Sequence, residues 1–482
     1  MGNASTTNAF AFESDLSPTD FPYFPKTTSP TTPVRPASKL SPGVKAAIMI
    51  GIGAFVAGLV VLILWLTGVL FKGDNMMVVI PSTSDLSPPK VVCPTNGMFS
   101  KLSQVDGDEA DFGTPIGVTT DGTFFITSTA LDMSSAGDSV VYQRSGDTYA
   151  LLDTSNFVLP SMTRIGFALI SDQANHVVSG ITNVNFLTAE TEFFRVTRKI
   201  GSTFFNTPQD LNAVSDGYPL IGRPLMPSKV VDDSELLLGF RTALSDAIVK
   251  AYRFSNDTWS IHQTLEPPVE GQQNFFGVGM SYQANILVLT QISPPMLHVY
   301  ARTSPSDQWI YQAHQSVSQA GASPLWGVDC ALSDNGLIAV VSDPFSTVDT
   351  VAEVGEVYLY KRSTVDEPFE ITQKVRPQAV YASEFFGIGV FLFGNTLYVS
   401  CSDNLLTTRH GEVYTIDNDT GLATFAQRID GPHTLTTPDT AVSATFGAFF
   451  TKGEELFMLL GSNNAAGSKG AVEVFKTACE VT

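Results

Sequence analysis

The sequence lacks the short motifs that mark the common catalytic and cofactor sites. It has no Gly-x-Ser-x-Gly elbow, no Gly-rich phosphate loop and no dinucleotide fingerprint, so no linear pattern indicates an enzyme. Its 6 histidines show no ligand spacing with cysteines or carboxylates, so no zinc site is indicated. We therefore expect a protein that is not an enzyme, with no catalytic residue, no metal and no cofactor.

Positive charge is also scarce. The 27 Lys and Arg residues face 47 Asp and Glu residues, which gives a net charge of −20. An acidic surface repels phosphate backbones, so we expect no nucleic acid partner, and the same charge favours solubility. The chain has 43% hydrophobic residues, with 33 Phe and 38 Gly, which suits many short strands and tight turns.

The N-terminal part differs in composition from the rest of the chain. Residues 1–44 are rich in Ser, Thr and Pro, and such a segment buries too little apolar surface to offset its ordering entropy. A disordered cytosolic tail is therefore expected. The start, Met1-Gly2-Asn-Ala-Ser-Thr6, matches the N-myristoylation pattern, which is short and also arises by chance. Gly2 is thus a candidate lipidation site.

A run without charge covers residues 46–71, long enough to span a bilayer. We expect a signal-anchor helix over residues 45–71, because a cleaved signal peptide would be shorter and nearer the N-terminus. Four basic residues precede the run closely and two follow it, which places the N-terminus in the cytosol and the C-terminal part outside. Small residues along one helical face offer a homodimer contact, namely Ala47, Gly51, Ala54 and Gly58.

Beyond a stalk expected over residues 72–92, one unit recurs seven times over residues 93–482. Each copy has a glycine after an apolar or aromatic residue, and most continue with an apolar strand, a tight turn and a second apolar strand. Hairpin turns are predicted at Asp121-Gly122, Asp334-Asn-Gly336 and Gly394-Asn395, because these residues tolerate positive φ. The repeating glycines lie 50–60 residues apart, at Gly113, Gly166, Gly222, Gly277, Gly327, Gly387 and Gly447.

A third strand follows a variable loop in each copy, and a fourth strand follows in six copies, as in Trp259–Thr264, Trp309–Val317 and Phe369–Val375. Four antiparallel strands per repeat are typical of a propeller blade, and seven copies make a ring. The predicted fold class is all-β, a seven-bladed β-propeller ectodomain on a single N-terminal transmembrane helix. Third strands are predicted at Val140–Gln143, Phe193–Val196, Val249–Phe254, Leu297–Tyr300, Glu356–Tyr360, Glu412–Thr415 and Val472–Phe475.

The repeat of Phe-Gly, two apolar strands and Gly-x-Val-Tyr-x-aromatic resembles the FG-GAP repeat of integrin-alpha-type propellers. The copy most similar to it is Trp326–Val341 followed by Gly355–Tyr360, and the resemblance covers about residues 94–482. It implies a seven-bladed propeller. Two features of the family are missing, the Gly-Ala-Pro triplet and the Asp-x-Asp-x-Asp-Gly calcium loop. Asp417–Gly421 is the nearest substitute for that loop, and a plain turn is favoured over a calcium site there.

The ring is predicted to close by mixing both ends of the propeller in one blade. The seventh copy stops after its third strand, and Gly97–Val105 resembles the fourth strands of other copies. Residues 97–106 are therefore expected to complete the last blade. Cys93 and Cys479 then fall in one turn, within the ~7 Å that a disulfide allows, and an oxidising exterior favours the bond.

Two further cysteines and two glycosylation sequons are assigned by position. Cys330 and Cys401 lie in strands of successive blades, where buried thiols are favoured over a second disulfide. Asn256 and Asn418 are the candidate glycosylation sites, each in a predicted turn between third and fourth strands.

The propeller face away from the stalk is the predicted recognition surface. It carries the longest loops, and loops on a rigid scaffold are where recognition usually occurs. Phe345, Asp349 and Arg409 are the candidate contact residues. The predicted function is binding of an extracellular protein or glycan partner, in an adhesion, receptor or attachment role. The alternatives are a virion-membrane structural or attachment protein and a propeller ectoenzyme, a hydrolase whose site is assembled from several blades.

Overall fold

The computed structural model describes the chain from Val91 to Val481, with gaps. The residues outside the described part are 1–90, 93–98, 107–115, 130–137, 156, 158–162, 184–190, 213–217, 220–233, 242–246, 268–273, 284, 320–321, 324, 402–407, 435–445, 453–454, 463–470, 479 and 482. The predictions for the tail, Gly2, the anchor helix and the stalk up to residue 90 therefore fall outside it. Among the residues described, none forms a helix of the length and apolar character that crossing a membrane requires.

The described residues form 31 strands, labelled in chain order. They are β1 (Val91–Val92), β2 (Ser100–Asp106), β3 (Ile116–Val118), β4 (Phe124–Thr129), β5 (Asp138–Ser145), β6 (Thr148–Thr154), β7 (Thr163–Ile170), β8 (His176–Asn183), β9 (Thr191–Ile200), β10 (Thr203–Asn212), β11 (Tyr218–Pro219), β12 (Glu235–Arg241), β13 (Ala247–Ser255), β14 (Thr258–Leu265), β15 (Asn274–Gln283), β16 (Ile286–Ser293), β17 (Met296–Ala301), β18 (Ile310–Tyr311), β19 (Val317–Ser318), β20 (Cys330–Leu332), β21 (Ile338–Asp343), β22 (Glu356–Lys361), β23 (Glu370–Val375), β24 (Gly389–Phe393), β25 (Thr396–Ser400), β26 (Thr408–Asp417), β27 (Leu422–Thr434), β28 (Phe446–Lys452), β29 (Glu455–Ser462), β30 (Ala471–Ala478) and β31 (Glu480–Val481).

Seven antiparallel sheets follow one another along the chain, each one blade of the propeller. Blades 1 to 3 are β3–β6, β7–β10 and β11–β14, blade 4 is β15–β19, and blades 5 and 6 are β20–β23 and β24–β27. Blade 7 has the order β28-β29-β30-β2. The predicted seven-bladed β-propeller is therefore confirmed. We call the side with the first-to-second and third-to-fourth strand turns the turn face, and the opposite side, with the second-to-third strand loops and the links between blades, the link face.

The hydrophobic core lies between neighbouring blades. Second and third strands are covered on both sides and are therefore largely buried, as in Ile338–Asp343, where four apolar residues precede Ser342 and Asp343 and every residue is buried. Outer strands face solvent on one side, and in Glu370–Val375 the last residue alone is buried. Leu359 of blade 5 and Leu397 of blade 6 pack in one cluster with Phe386 from the link between them.

The outer strand of blade 7 comes from the N-terminal side of the propeller. Strand β2 pairs with β30 from Ser100 opposite Lys476 to Asp106 opposite Ala471. Strands β1 and β31 form a small separate sheet beside it. Cys93 and Cys479 lie outside the described residues, and their neighbours Val92 and Glu480 are cross-strand partners. The disulfide itself stays a prediction.

A glutamine in the fourth strand of several blades forms two hydrogen bonds with the backbone of the next blade. Its side-chain amide both donates to and accepts from one residue there, an arrangement we call the amide clamp. Because each clamp satisfies a backbone N–H and C=O at the blade edge, it fixes the spacing of neighbouring outer strands. The clamps join Gln209 to Trp259, Gln263 to Trp309, Gln373 to Ala423 and Gln427 to Phe99.

One predicted strand is interrupted. The continuous fourth strand expected over Trp309–Val317 is two short strands, β18 and β19, which both pair with β17. Between them the backbone N–H of Gln315 donates to the carbonyl of Gln312 at 2.9 Å, which closes a turn. The turn buries the Gln315 side chain, whose Oε1 accepts from Arg362 Nη1 of blade 5 at 2.6 Å. This polar contact between blades replaces the expected strand pairing.

The other two cysteines and both sequon asparagines lie within the described part of the chain. Cys330 and Cys401 are buried and are not joined in a disulfide, and burial raises the pKa of the Cys330 thiol. Asn256 lies exposed between β13 and β14, and Asn418 lies between β26 and β27, so both occupy turns between third and fourth strands as predicted. Asp417 Oδ1 accepts backbone N–H groups within the second turn, which lowers the pKa of its carboxyl. Glycosylation of these two positions, and a plain turn in place of a calcium site at Asp417–Gly421, stay predictions.

The buried His298 in β17 makes folding stability dependent on pH. Its Nε2 donates to Gln291 Oε1 at 2.8 Å, and burial lowers the pKa of the imidazole to about 4. The unfolded chain binds this proton near pH 6.5 and the folded chain does not, so this contribution to stability is complete above pH 6.5 and is lost as the pH falls towards 4. Between pH 7.5 and 4.5 we expect it to cost about 2–3 kcal/mol.

Urea unfolding at both pH values, for the wild type and His298→Gln, measures this contribution. The variant should show a smaller loss of stability on acidification, and its difference from the wild type at pH 7.5 isolates the packing cost of the substitution. Equal losses on acidification in the two proteins would contradict the assignment to His298.

Candidate recognition surface at the junction of blades 5 and 6

The loop that the sequence singled out meets the link between blades 5 and 6. Residues 344–355 connect β21 to β22, and residues 376–388 connect β23 to β24. Both segments lie on the link face, and we call them together the junction surface. Neither segment contains a strand of a sheet, so the shape of the junction surface depends on the contacts between the two segments.

Three backbone hydrogen bonds join the loop to the link. Gly355 allows this close approach: its φ is +92°, and a Cβ at this position would lie 2.1 Å from the carbonyl oxygen of Phe386. The loop is also closed on itself, because Val348 and Val351 exchange backbone hydrogen bonds at 2.8 and 3.0 Å. The bonds from link to loop run from Ser383 to Ala352 (3.3 Å), Phe385 to Glu353 (3.1 Å) and Phe386 to Val354 (2.8 Å).

The junction surface concentrates backbone strain. Ten described residues other than glycine have positive φ, and five of them lie in these two segments. Each such residue costs of order 1–3 kcal/mol and persists where its surroundings fix it, which is common at ligand sites. The five are Asp349 (48°), Thr350 (76°), Glu353 (57°), Ser383 (59°) and Phe385 (49°).

Apolar and charged side chains are presented to solvent on this strained frame. Tyr381 is 43% exposed and its neighbour Val380 is 39% exposed. Arg376 Nη1 lies 3.3 Å from Asp349 Oδ1, and its Nε donates to Glu356 Oε1 at 2.8 Å, so one guanidinium joins the loop to the buried end of β22. The surface therefore combines an aromatic group, an aliphatic group and an accessible ion pair, which suits recognition.

Two buried carboxylates accept hydrogen bonds from backbone N–H groups of the link. Both carboxylate oxygens of Glu412 accept the backbone N–H of Gln378, at 3.1 and 3.3 Å, and Tyr414 also donates to this carboxylate. Burial raises the pKa of Glu412. Glu384 Oε2 accepts the N–H of Tyr381 at 3.3 Å. The backbone at Gln378 is thus fixed by a carboxylate of blade 6, and the backbone at Tyr381 by a buried carboxylate of the link itself.

The three contact residues predicted from the sequence have different places. Phe345 is half-buried, its ring centroid 4.9 Å from that of Phe385, so it anchors the loop to the link. Asp349 is exposed and takes part in the ion pair described above. Arg409 belongs to strand β26, and its side chain lies outside the described part of the chain. The structure therefore brings Phe345 and Asp349 into one loop.

The link residues were missed by the sequence reading. Arg376, Val380, Tyr381 and Glu384 lie between blades, whereas the contact residues predicted from the sequence lie within blades. The sequence does contain a sign of these residues. Val380 and Tyr381 are an aliphatic and an aromatic residue next to each other, shortly before the Phe385-Phe386-Gly387 that precedes blade 6. An apolar pair in a connection that no strand accounts for indicates either a packing contact or an exposed binding residue.

Comparisons with known proteins identify no family. No protein-family model matches the chain, and no curated protein sequence matches it. Similar folds are found among solved structures, including a putative 6-phosphogluconolactonase from Bacteroides fragilis, with 12% identity over 72% of this chain and 96% of that one and a TM-score of 0.49. The periplasmic gluconolactonase of Pseudomonas aeruginosa has 14% identity over 79% and 100%, with a TM-score of 0.45. Sqt1 from Saccharomyces cerevisiae has 11% identity over 78% and 99%, also with a TM-score of 0.45. Similarities of this size carry no argument about the function of this chain.

Proposed function

We propose that this protein is a membrane-anchored β-propeller that binds an extracellular protein or glycan partner through the junction surface. The blades resemble FG-GAP repeats in sequence, and the uncharged run over residues 46–71 supplies the anchor in this proposal. The observation that carries it is the strained, hydrogen-bonded pair of segments that presents Tyr381 to solvent. A loop fixed before binding loses little conformational entropy when a partner docks, which favours affinity.

The chemistry of the surface narrows the kind of partner. An exposed tyrosine contributes a large, rigid contact area and a hydroxyl group, and such residues are enriched among the side chains that dominate binding energy. The adjacent Asp349–Arg376 pair offers both signs of charge at the rim of the contact. A partner with an apolar or sugar-ring face bordered by polar groups matches this arrangement.

Replacement of single exposed side chains tests the proposal better than exchange of the whole loop. Val348 and Val354 of the loop are completely buried, so a Gly/Ser linker in place of the loop would also damage the core. We expect Tyr381→Ser to weaken binding about 30-fold or more, the effect of losing a central contact residue of about 2 kcal/mol. The fold should be unaffected, because the side chain is 43% exposed.

The measurement uses the full chain in lipid nanodiscs, screened first against a glycan array and a panel of cell-surface ectodomains. Each hit is then titrated with the wild type, Tyr381→Ser and Leu422→Ser. Leu422 is 45% exposed and begins β27 beside a turn on the turn face, so it is a matched control for loss of exposed apolar surface. Binding that survives Tyr381→Ser but is lost in Leu422→Ser would place recognition on the turn face. Turnover of a probe in place of stable binding would favour the ectoenzyme alternative.

A further inference from the structure

We propose that Glu384, Cys401 and His410 form a binding site for a zinc-type divalent cation beneath the junction surface. The carboxylate oxygen, the thiol sulfur and the imidazole nitrogen all lie within 4.8 Å of one another. These three groups are the donor types that Zn²⁺ takes in proteins. The sequence spacing of 17 and 9 positions follows no metal motif, so the fold alone assembles the set.

Strand pairing in blade 6 creates the site. Cys401 directly follows β25 and His410 lies near the start of β26, and the N–H of Cys401 donates to the carbonyl of His410 at 3.0 Å. This pairing brings the two residues together at the end of the hairpin. Glu384 approaches from the link before β24. The three residues are between 0 and 1% exposed, so the site is shielded from bulk solvent.

The His410 and Glu384 side chains lie at ion-pair distance but share no hydrogen bond. His410 Nε2 lies 3.1 Å from Glu384 Oε1, but within the described residues neither atom makes a hydrogen bond, and His410 Nδ1 makes none either. Buried polar atoms without partners are costly and therefore rare. A cation bound to both the imidazole nitrogen and the carboxylate oxygen would satisfy these two groups.

The distances suit a tetrahedral ion after a small adjustment. With bonds of about 2.0–2.3 Å, the ligand atoms of a tetrahedral zinc site lie about 3.3–3.7 Å apart. The His410–Glu384 pair is already near this spacing, and a side-chain shift of about 1 Å brings all three atoms within it. Three protein ligands leave a fourth position for water.

Charge favours the same assignment. Glu384 and the neighbouring Glu412 place two buried carboxylates beside one imidazole. Binding of Zn²⁺ displaces the thiol proton of Cys401 to solvent and forms the metal–sulfur bond, so thiolate and Glu384 carboxylate together balance the two positive charges. Glu412 keeps its hydrogen bonds to the link and is not needed as a ligand.

A metal at this place acts on the recognition surface. Glu384 would bind the ion through Oε1 while its Oε2 holds the N–H of Tyr381. The ion would therefore fix the exposed tyrosine through one carboxylate. This consequence rests on the proposed function, whereas the metal site itself does not.

The test uses the untagged full chain in detergent, stripped with a chelator and titrated with ZnCl₂ in competition with a chromophoric chelator. We expect one ion per chain and a higher thermal midpoint with zinc present. Cobalt(II) in the same site should give a sulfur-to-metal charge-transfer band. Cys401→Ser and His410→Gln should each weaken zinc binding more than about tenfold, since even indirect supports of metal sites cost that much.

Cys330→Ala is the matched control, because Cys330 is also buried and outside any disulfide but lies in blade 5. It should keep both the affinity and the cobalt band. Tyr381→Ser should also bind zinc normally, which separates the metal site from partner recognition. Absence of saturable binding, equal affinity in Cys401→Ser and the wild type, or a cobalt spectrum without the sulfur band would each overturn the site. Should one ligand variant fail to fold, the other decides.

Discussion

Deletion of residues 97–106 is expected to abolish cooperative folding of the propeller. Strand β2 supplies the outer edge of blade 7, where Phe99 is 5% exposed and Val105 is 8% exposed. Loss of a buried phenylalanine alone costs about 3–5 kcal/mol, and loss of the strand also removes its ladder with β30 and the amide clamp from Gln427. The sum is comparable with the total stability of a typical domain, about 5–15 kcal/mol.

A rearranged chain provides the control for this deletion. Adding residues 97–106 after Thr482 through a short linker would return the strand in its native direction, antiparallel to β30. We expect this variant to recover a single unfolding transition and resistance to limited proteolysis. A deletion variant that unfolds as cooperatively as the wild type would show that the ring does not depend on β2.

Arg302→Leu is expected to be the most destabilising single substitution on the turn face, at about 3–5 kcal/mol. Arg302 Nη1 lies 2.6 Å from Glu235 Oε2, and the two side chains are 0% and 1% exposed. The Arg302 guanidinium also stacks 4.1 Å from the ring centroid of Trp309, which donates to Glu235 at 3.3 Å. Because Glu235 belongs to blade 3 and Arg302 follows β17 of blade 4, the substitution leaves a charge unpaired inside a blade boundary.

Two further variants define the origin of this effect in denaturant unfolding. The double change Glu235→Leu/Arg302→Leu should recover part of the loss, because no buried charge then remains without a partner. Arg198→Leu removes the exposed pair of Arg198 with Asp257 between blades 2 and 3, and should cost less than about 1 kcal/mol. A comparable cost for Arg198→Leu and Arg302→Leu would mean that burial does not decide the value of these pairs.

The blades could be predicted from sequence because local chemistry and global fold agree there. The turn glycines Gly122, Gly336 and Gly394 have φ of 65°, 69° and 55°, as their hairpin pattern predicts. The third strand predicted at Glu356–Tyr360 is observed at Glu356–Lys361. Period, turn residues and burial all specify the same hairpins, and such agreement makes a repeat readable.

The junction surface and its buried ligand set could be predicted only in part. The loop after β21 could be predicted because it is one of the longest loops of the repeats, but its contact with the link depends on how two blades pack. Cys401 and His410 become neighbours through the register of one hairpin, and Glu384 joins them from another segment. A one-residue change in register would separate the first two, and no pattern along the chain records that register.

The Gln427 amide clamp has a mechanical consequence. Tension that reaches the propeller through the chain N-terminal to β2 acts first on the short pairing of β1 with β31. It acts next on the clamp at Phe99 and on the ladder between β2 and β30. A pull along the strand axis loads all the hydrogen bonds between β2 and β30 at the same time in shear. A pull perpendicular to the strands would instead break these hydrogen bonds one after another. Resistance to such a pull is set by the rate of unfolding, not by the equilibrium stability. The strand pairing that completes the ring is therefore also where the propeller resists this tension, and the clamp adds two hydrogen bonds at Phe99, just before β2.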